Sequence, residues 1–204
     1  MNKNIIVLAT HNKDKVEELL AVLSDFPIKL KTLEDFPEIG DIPETGETLL
    51  ENSMLKARTV HDITGFPTIA DDTGLEVDAL NGAPGIYAAR FAGEHVTYQD
   101  NMNKLLDEMK GVPPNQRTAQ FHTVMSYVDN SRELWAEGTI KGVITEEPKG
   151  KEGFGYDPVF FSIETGKTFA QMTAIEKNSI SHRARAMEAL KTKLETIIYQ
   201  TTEN

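Results

Sequence analysis

Four short segments of this 204-residue chain gather side chains that handle anions, cations or flat ligands. Thr10-His11-Asn12-Lys13-Asp14-Lys15 lies between an apolar run and a helical one. The unpaired N–H groups of a helix N-terminus attract anions. Thr10 and Asn12 add neutral donors there, and Lys15 a mobile positive charge suited to phosphate. The segment lacks G-x-x-x-x-G-K-S/T and is not a P-loop. It reads equally as a capped helix start, with Asn12 or Asp14 as the cap and both lysines solvated.

Asp71-Asp72-Thr73-Gly74 directly follows a short apolar strand. Adjacent carboxylates at a strand end repel each other unless separated, paired or bridged by a cation. Hard oxygen ligands suit Mg²⁺, which also takes phosphate oxygens, and Glu44 in an acidic loop upstream is able to converge on the same ion. An Asx turn with solvated charge is the other reading. In Gly153-Phe154-Gly155-Tyr156-Asp157-Pro158 the glycines allow a flat ligand to approach the backbone, with Phe154 stacking on it. A buried Phe beside a turn is the alternative. The last segment places Lys177, His182 and Arg183 around the start of a helix. Positive charge there opposes the helix dipole, so stability alone does not account for it.

These residues need elements to hold them. Ile5 to Ala9 is a continuous apolar run, as expected of a strand buried on both faces. Val16, Leu19, Leu20 and Leu23 recur at helical spacing within a helix predicted over 13–23, and Ile28 to Leu33 alternates as a half-exposed strand. Thr48-Leu-Leu-Glu51 fits a capping box and starts a second helix that ends by Gly65. Pro67 to Ala70 and Leu75 to Leu80 are predicted as two short strands, with Asp71-Asp72 where the first ends. A third helix covers 97–109. Arg117 to Val128 and Glu133 to Thr145 flank the turn Asp129-Asn130-Ser131 as a hairpin, and Val159 to Phe161 is a strand. The last helix runs from about Ser181 to Ile198, with Ala184, Met187, Leu190, Leu194 and Ile197 on one face, and a polar tail occupies 199–204. Helices alternating with parallel-type strands, plus a hairpin, make the chain α/β with a mixed sheet. Trp135 and the methionines read as core, His61, His95 and His122 as structural or solvated, and Glu51 as a cap.

Composition narrows the function. Lys and Arg total 21 against 32 Asp and Glu, a formal charge of −11. Such a surface repels duplex phosphate, which argues against nucleic acid as a partner. With zero cysteines there is no thiol nucleophile, disulfide framework or Cys-based zinc site. No apolar run approaches the roughly 18–20 residues that span a bilayer, so no membrane association is expected. The run after Lys3 is too short for a secretory signal, and a cytoplasmic protein is expected.

Taken in order, the motifs resemble the inosine triphosphate pyrophosphatase family, which hydrolyses nonstandard purine nucleoside triphosphates. They are T-x-N-x-x-K at Thr10 to Lys15, E-T-G at Glu44 to Gly46, E-N-x-x-x-K-A at Glu51 to Ala57 and A-D-D-S/T-G-L at Ala70 to Leu75. Gly82-Ala83-Pro84-Gly85-Ile86-Tyr87 with Ala89-Arg90, Gly153 to Pro158, Lys177-Asn178 and Ser181-His182-Arg183-Ala184 complete the set. Thr73 stands where Ser is usual and keeps a hydroxyl. The resemblance implies an elongated mixed central sheet flanked by helices, in one domain over 1–198 with two lobes and an active-site cleft. It implies Mg²⁺ as cofactor, a homodimer, and hydrolysis of dITP, ITP and XTP to the monophosphate and pyrophosphate. Carried over by position, Asp72 is the general base and, with Glu44, a metal ligand. Thr10, His11, Asn12, Lys13, Asp14 and Lys15 hold the triphosphate, with Thr73 beside the substrate. Phe154, Gly155, Tyr156, Asp157, Lys177, His182 and Arg183 surround base and sugar. Asp71 either holds Asp72 in place or binds a second ion.

Overall fold

The first strand, β1 (Ile5–Leu8), is apolar throughout because both of its faces are covered. Ile6 and Leu8 enter one hydrophobic cluster while Val7 and Ala9 enter another, the period of two that a strand imposes. In the computed structural model residues 5–200 are described, with side chains to residue 195. Within them β1 is followed by α1 (Lys13–Val22), β2 (Lys29–Thr32), α2 (Leu49–Thr64), β3 (Thr68–Val77), β4 (Pro84–Gly85) and α3 (Tyr98–Glu108). The long pair β5 (Thr118–Val128) and β6 (Glu133–Ile144) comes next, then β7 (Phe160–Ser162), β8 (Lys167–Thr168), α4 (Ala174–Asn178) and α5 (His182–Gln200). Of the expected tail 199–204, residues 201–204 lie outside the described residues, as does the side chain of Ile197.

The strands form one mixed sheet in the order β2-β1-β3-β5-β6-β7-β8, with β4 paired to β3. β1 runs parallel to both β2 and β3, whereas β4, β7 and β8 pair antiparallel with β3, β6 and β7. Chain packing divides the described residues into two compact units. One takes the chain up to Asp72, Thr123–Gly138 and the stretch from Arg183 onward; the other takes Thr73–His122 and Thr139–His182. In the first unit α1 and α5 cover one side of the sheet through Leu19, Leu23, Ala186, Met187, Leu190 and Leu194. α2 covers the other through Met54, Ala57 and Val60. In the second unit Met102, Leu105 and Met109 pack with Leu75, Val77, Phe121, Ile140, Phe160 and Phe169.

Local chemistry fixes the helix ends as expected. The Thr48 hydroxyl accepts from Glu51 N at 3.1 Å, and Glu51 Oε2 accepts from Thr48 N at 3.1 Å, closing the capping box of α2. Gly65 ends that helix in the left-handed region at φ +69°, where a Cβ is strained. Thr97 and Asp100 repeat the box on α3.

Three expectations need correction. β3 is a single ten-residue strand, so Asp71 to Gly74 lie in its interior and not at a strand end or in an Asx turn. The stretch is extended despite its turn-prone composition, with β1 paired to Thr68 and Ile69 ahead of it and β4 to Leu75 and Glu76 after it. Leu20, expected on the buried face of α1, is 40% exposed; the apolar stripe narrows to Leu19 and Leu23. Trp135, expected in the core, is 42% exposed, because it stands on the outward alternation of β6, where the Lys193 ammonium lies 5.4 Å from its ring. Met54, Met102, Met109, Met125, Met172 and Met187 are buried as expected. No helix among the described residues is long and apolar enough to cross a membrane.

Candidate active site

Because β3 alternates, Asp71 and Asp72 leave it on opposite faces. Asp71 shares its side with Ile69, which packs with α1 and α5; Asp72 shares its side with Ala70, which packs with α2. The two carboxylates are thereby separated, and each meets its own cations.

On the α2 side, Lys56 and Asn52 lie one helical turn apart on a buried face. The Lys56 ammonium donates to Asp72 Oδ1 at 3.0 Å and to Glu44 Oε1 at 2.7 Å. Asn52 Nδ2 donates to Asp72 Oδ2 at 3.4 Å, while its Oδ1 accepts from Gly46 N at 2.8 Å, tying down the loop that carries Glu44. Burial pushes the Asp72 carboxyl up; the nearby Glu44 charge adds to this, and Lys56 and Lys15 oppose it without reversing it. Burial disfavours the Lys56 ammonium, yet Asp72, Asp71 and Glu44 together hold it above its ordinary value.

On the other side, Asp71 is 1% exposed. Burial alone would raise its carboxyl, but Lys15, Arg183 and Lys56 outweigh it and hold the group well below the usual range. Lys15 Nζ stands 2.9 Å from Asp71 Oδ2 and Arg183 Nε 3.5 Å from it; the Arg183 guanidinium also pairs with Glu18. Adjacent carboxylates thus carry opposite shifts, Asp71 held down by its cations and Asp72 pushed up by burial.

The rest of the first segment serves several ends. Asn12 is the cap of α1, its Oδ1 accepting from Lys15 N at 3.2 Å, and the Thr10 hydroxyl accepts from Asn12 N at 3.2 Å. Of the paired readings for this segment, the structure therefore has the Asn12 cap together with a Lys15 turned inward. His11 Nε2 lies 3.2 Å from Gly40 O, exposed Lys13 pairs with Glu34 at 3.4 Å, and Asp14 occupies the first turn.

A second group is built within the other unit. Asp157 is buried and accepts from Phe154 N at 2.9 Å and from the Lys177 ammonium. Gly153 at φ +72° is needed here, because a Cβ would collide with the Asp157 carboxylate. The Lys177 ammonium stands 4.7 Å from the Phe154 ring centroid. Gly155 is also left-handed, at φ +62°, and Tyr156 is buried with its hydroxyl donating to Ala88 O at 2.9 Å. His182 is buried against Phe121, ring centroids 4.5 Å apart and 15° from parallel. Thr73 is partly buried in β3.

Asn52 and Lys56 stand in the E-N-x-x-x-K-A motif but received no role from sequence, and Glu18 was not singled out. The available signal was two polar residues, Asn52 and Lys56, on the otherwise apolar stripe of α2 beside Met54, Ala57 and Val60. His61, His95 and His122 take no part: His61 Nδ1 lies 2.7 Å from Phe66 O, His122 is 3.5 Å from Glu76 and His95 is exposed. Among the described residues no three or more His, Cys, Asp or Glu cluster as a metal cage.

Comparison with known proteins agrees with the motif set. The Ham1 family model matches residues 6–193. The dITP/XTP pyrophosphatase of Shigella flexneri is 50% identical over 188 residues, covering 91% of this chain and 95% of that protein. That of Thermoanaerobacter sp. (strain X514) is 47% identical over 186 residues, covering 91% and 94%. A HAM1 protein from Coxiella burnetii superimposes with a TM-score of 0.86 at 40% identity, over 95% of this chain and 99% of that one. On these matches, the chain belongs to the Ham1 family.

Proposed function

We propose that this chain hydrolyses the nonstandard purine nucleoside triphosphates dITP, ITP and XTP to the monophosphate and pyrophosphate. The activity named for its relatives supports the substrate class. The observation that carries the site assignment is the Asp72 carboxylate, buried in mid-strand and sharing one ammonium with Glu44. A homodimer follows from the family resemblance.

The donor set fits Mg²⁺. That ion is commonly held by one or two carboxylates with waters and substrate phosphates, not by an all-protein cage. Glu44 and Asp72 are two such carboxylates, and a cation, the Lys56 ammonium, already lies against both. When bound there, Mg²⁺ supplies Lewis-acid stabilisation of phosphate charge.

The side chains divide the remaining work. Asp72 positions a water and accepts its proton as the water oxygen bonds to the α-phosphorus. The bond from that phosphorus to the bridging oxygen breaks, and pyrophosphate leaves. Thr10 to Lys15 hold the triphosphate, with Thr73 beside it, and Lys15 offsets charge growing on the leaving group. Asp71 stays ionised and fixes Lys15 and Arg183. Phe154 to Asp157, Lys177, His182 and Arg183 surround the base and sugar. Hypoxanthine and xanthine present an acceptor at position 6 where adenine presents a donor, so positioned N–H donors favour the first two. A hundredfold preference needs about 2.7 kcal/mol, within reach of one mismatched buried polar contact.

The test is pyrophosphate release with Mg²⁺ across dITP, XTP, GTP, ATP and dUTP. Release from dITP and XTP at least about a hundredfold above ATP and dUTP is expected. Preference for dUTP or for standard nucleotides would replace this reading by a different nucleotide pyrophosphatase. Binding without turnover would replace it by a sensor.

A further inference from the structure

Phe154 rises from a loop with a left-handed glycine on either side, Gly153 at φ +72° and Gly155 at φ +62°. A ring on such a loop turns about its own torsions unless neighbours hold it. Its backbone is tied to Asp157 by the 2.9 Å bond from Phe154 N. Lys177 and Tyr98 both meet the ring itself. The Lys177 ammonium lies 4.7 Å from its centroid, and Lys177 is in turn held by Asp157. The Tyr98 ring centroid lies 5.7 Å away at an interplanar angle of 42°.

Tyr98 is 43% exposed, so it adds little to the core around Phe121 and Phe160. Its backbone is nonetheless closely fixed. It is the first residue of α3, directly after the Thr97 cap, where Asp100 Oδ2 accepts from Thr97 N at 2.8 Å. The helix start therefore presents this ring at a set position beside Phe154. Tilted aromatic pairs at such a distance attract beyond the area they bury.

We propose that Tyr98 is a positioning residue for nucleobase binding: it sets the plane of Phe154, on which the purine stacks. This rests on the reading that Phe154 contacts the base. A loosened ring must be ordered again at each binding event, which weakens binding without touching the reacting atoms. The effect belongs in KM and not in kcat.

The test measures dITP hydrolysis by Tyr98→Ala, Tyr98→Leu, Tyr98→Phe, Phe154→Ala and the Tyr98→Ala/Phe154→Ala double variant, each first checked by thermal melting. Tyr98→Leu keeps apolar bulk and helix propensity, so it reports even if the alanine variant folds poorly. Both ring-deleting variants are expected to raise KM about three- to tenfold with kcat within twofold, and Tyr98→Phe to restore it. The double variant is expected to match Phe154→Ala alone, since Tyr98 acts through that ring. If Phe154→Ala raises KM while the Tyr98 variants do not, the positioning role is overturned and the Phe154 reading stands. If Phe154→Ala leaves KM unchanged, the reading of Phe154 fails and this inference with it. Additive losses in the double variant, or a fall in kcat at constant KM, would also overturn it.

Discussion

Asp72 meets an ammonium and an amide on one face of β3, while Asp71 meets a lysine and an arginine on the other. Asp72→Asn removes the base and one charge from the shared site, and a fall in kcat on the order of 10²–10⁴ is expected, with an unchanged circular dichroism spectrum. Near-normal turnover would remove Asp72 from the chemistry. Lys56 calls for a different experiment. Without metal its ammonium is the cation that keeps Glu44 and Asp72 compatible. Lys56→Met leaves two carboxylates facing each other, and the metal-free variant should lose stability toward the lower end of about 3–5 kcal/mol, since Glu44 is partly solvated. Adding Mg²⁺ should recover much of that loss in a thermal melt, whereas the unaltered chain should shift far less. Equal shifts in both would mean that the lysine and the metal do not share a seat.

Among the elements, the hairpin is the simplest to probe. Its turn hangs on Asp129, whose Oδ1 accepts from Ser131 N at 2.8 Å and Arg132 N at 2.9 Å, and whose Oδ2 accepts from the Tyr127 hydroxyl at 3.0 Å. Partial burial pushes this carboxyl up, but the hydrogen bonds from Ser131 and Tyr127 and the Arg132 charge outweigh it and hold the group below its ordinary value. A depressed carboxyl stabilises the fold above its unfolded pKa, and that contribution disappears as pH falls through the folded one. Asp129→Ala should therefore cost about 1–2 kcal/mol at neutral pH, and the gap to the unaltered chain should shrink below about pH 4 in urea titrations. A gap independent of pH would assign the loss to packing.

Both ends of α2 and the hairpin turn were readable from sequence because their signals are local: a capping box, a glycine, the turn formers Asp129-Asn130-Ser131. β3 was only half readable. Asp, Asp, Thr and Gly in a row are poor strand formers, and their extended course belongs with tertiary pairing: Lys15 meets Asp71 and Lys56 meets Asp72. The same limit hid the role of Lys56, although its motif was visible. Its meaning lies in a loop residue twelve positions upstream and a strand residue sixteen downstream, which no helical periodicity reveals.

For the whole molecule, the formal charge of −11 sets the terms on which phosphate is met. Long-range repulsion is the background, so only a site with its own cations overcomes it. A labelled DNA duplex should show no anisotropy change with the protein at low salt, the condition most favourable to binding. A rise that vanishes with added salt would reveal a basic surface that the composition conceals. The inward cations Lys15, Lys56, Lys177 and Arg183 are all spoken for by carboxylates in the chain itself.

The opposed carboxylates of β3 also bind reactivity to strand alignment. Removing one residue ahead of Asp71 would send each acid to the other bank of helices, handing Asp72 to Lys15 and Arg183 and Asp71 to Lys56. The same step would exchange Ile69 and Ala70 between their two clusters, so on the proposed role of Asp72 a misaligned chain should lose both packing and turnover, and turnover would report that this strand has docked in its proper frame.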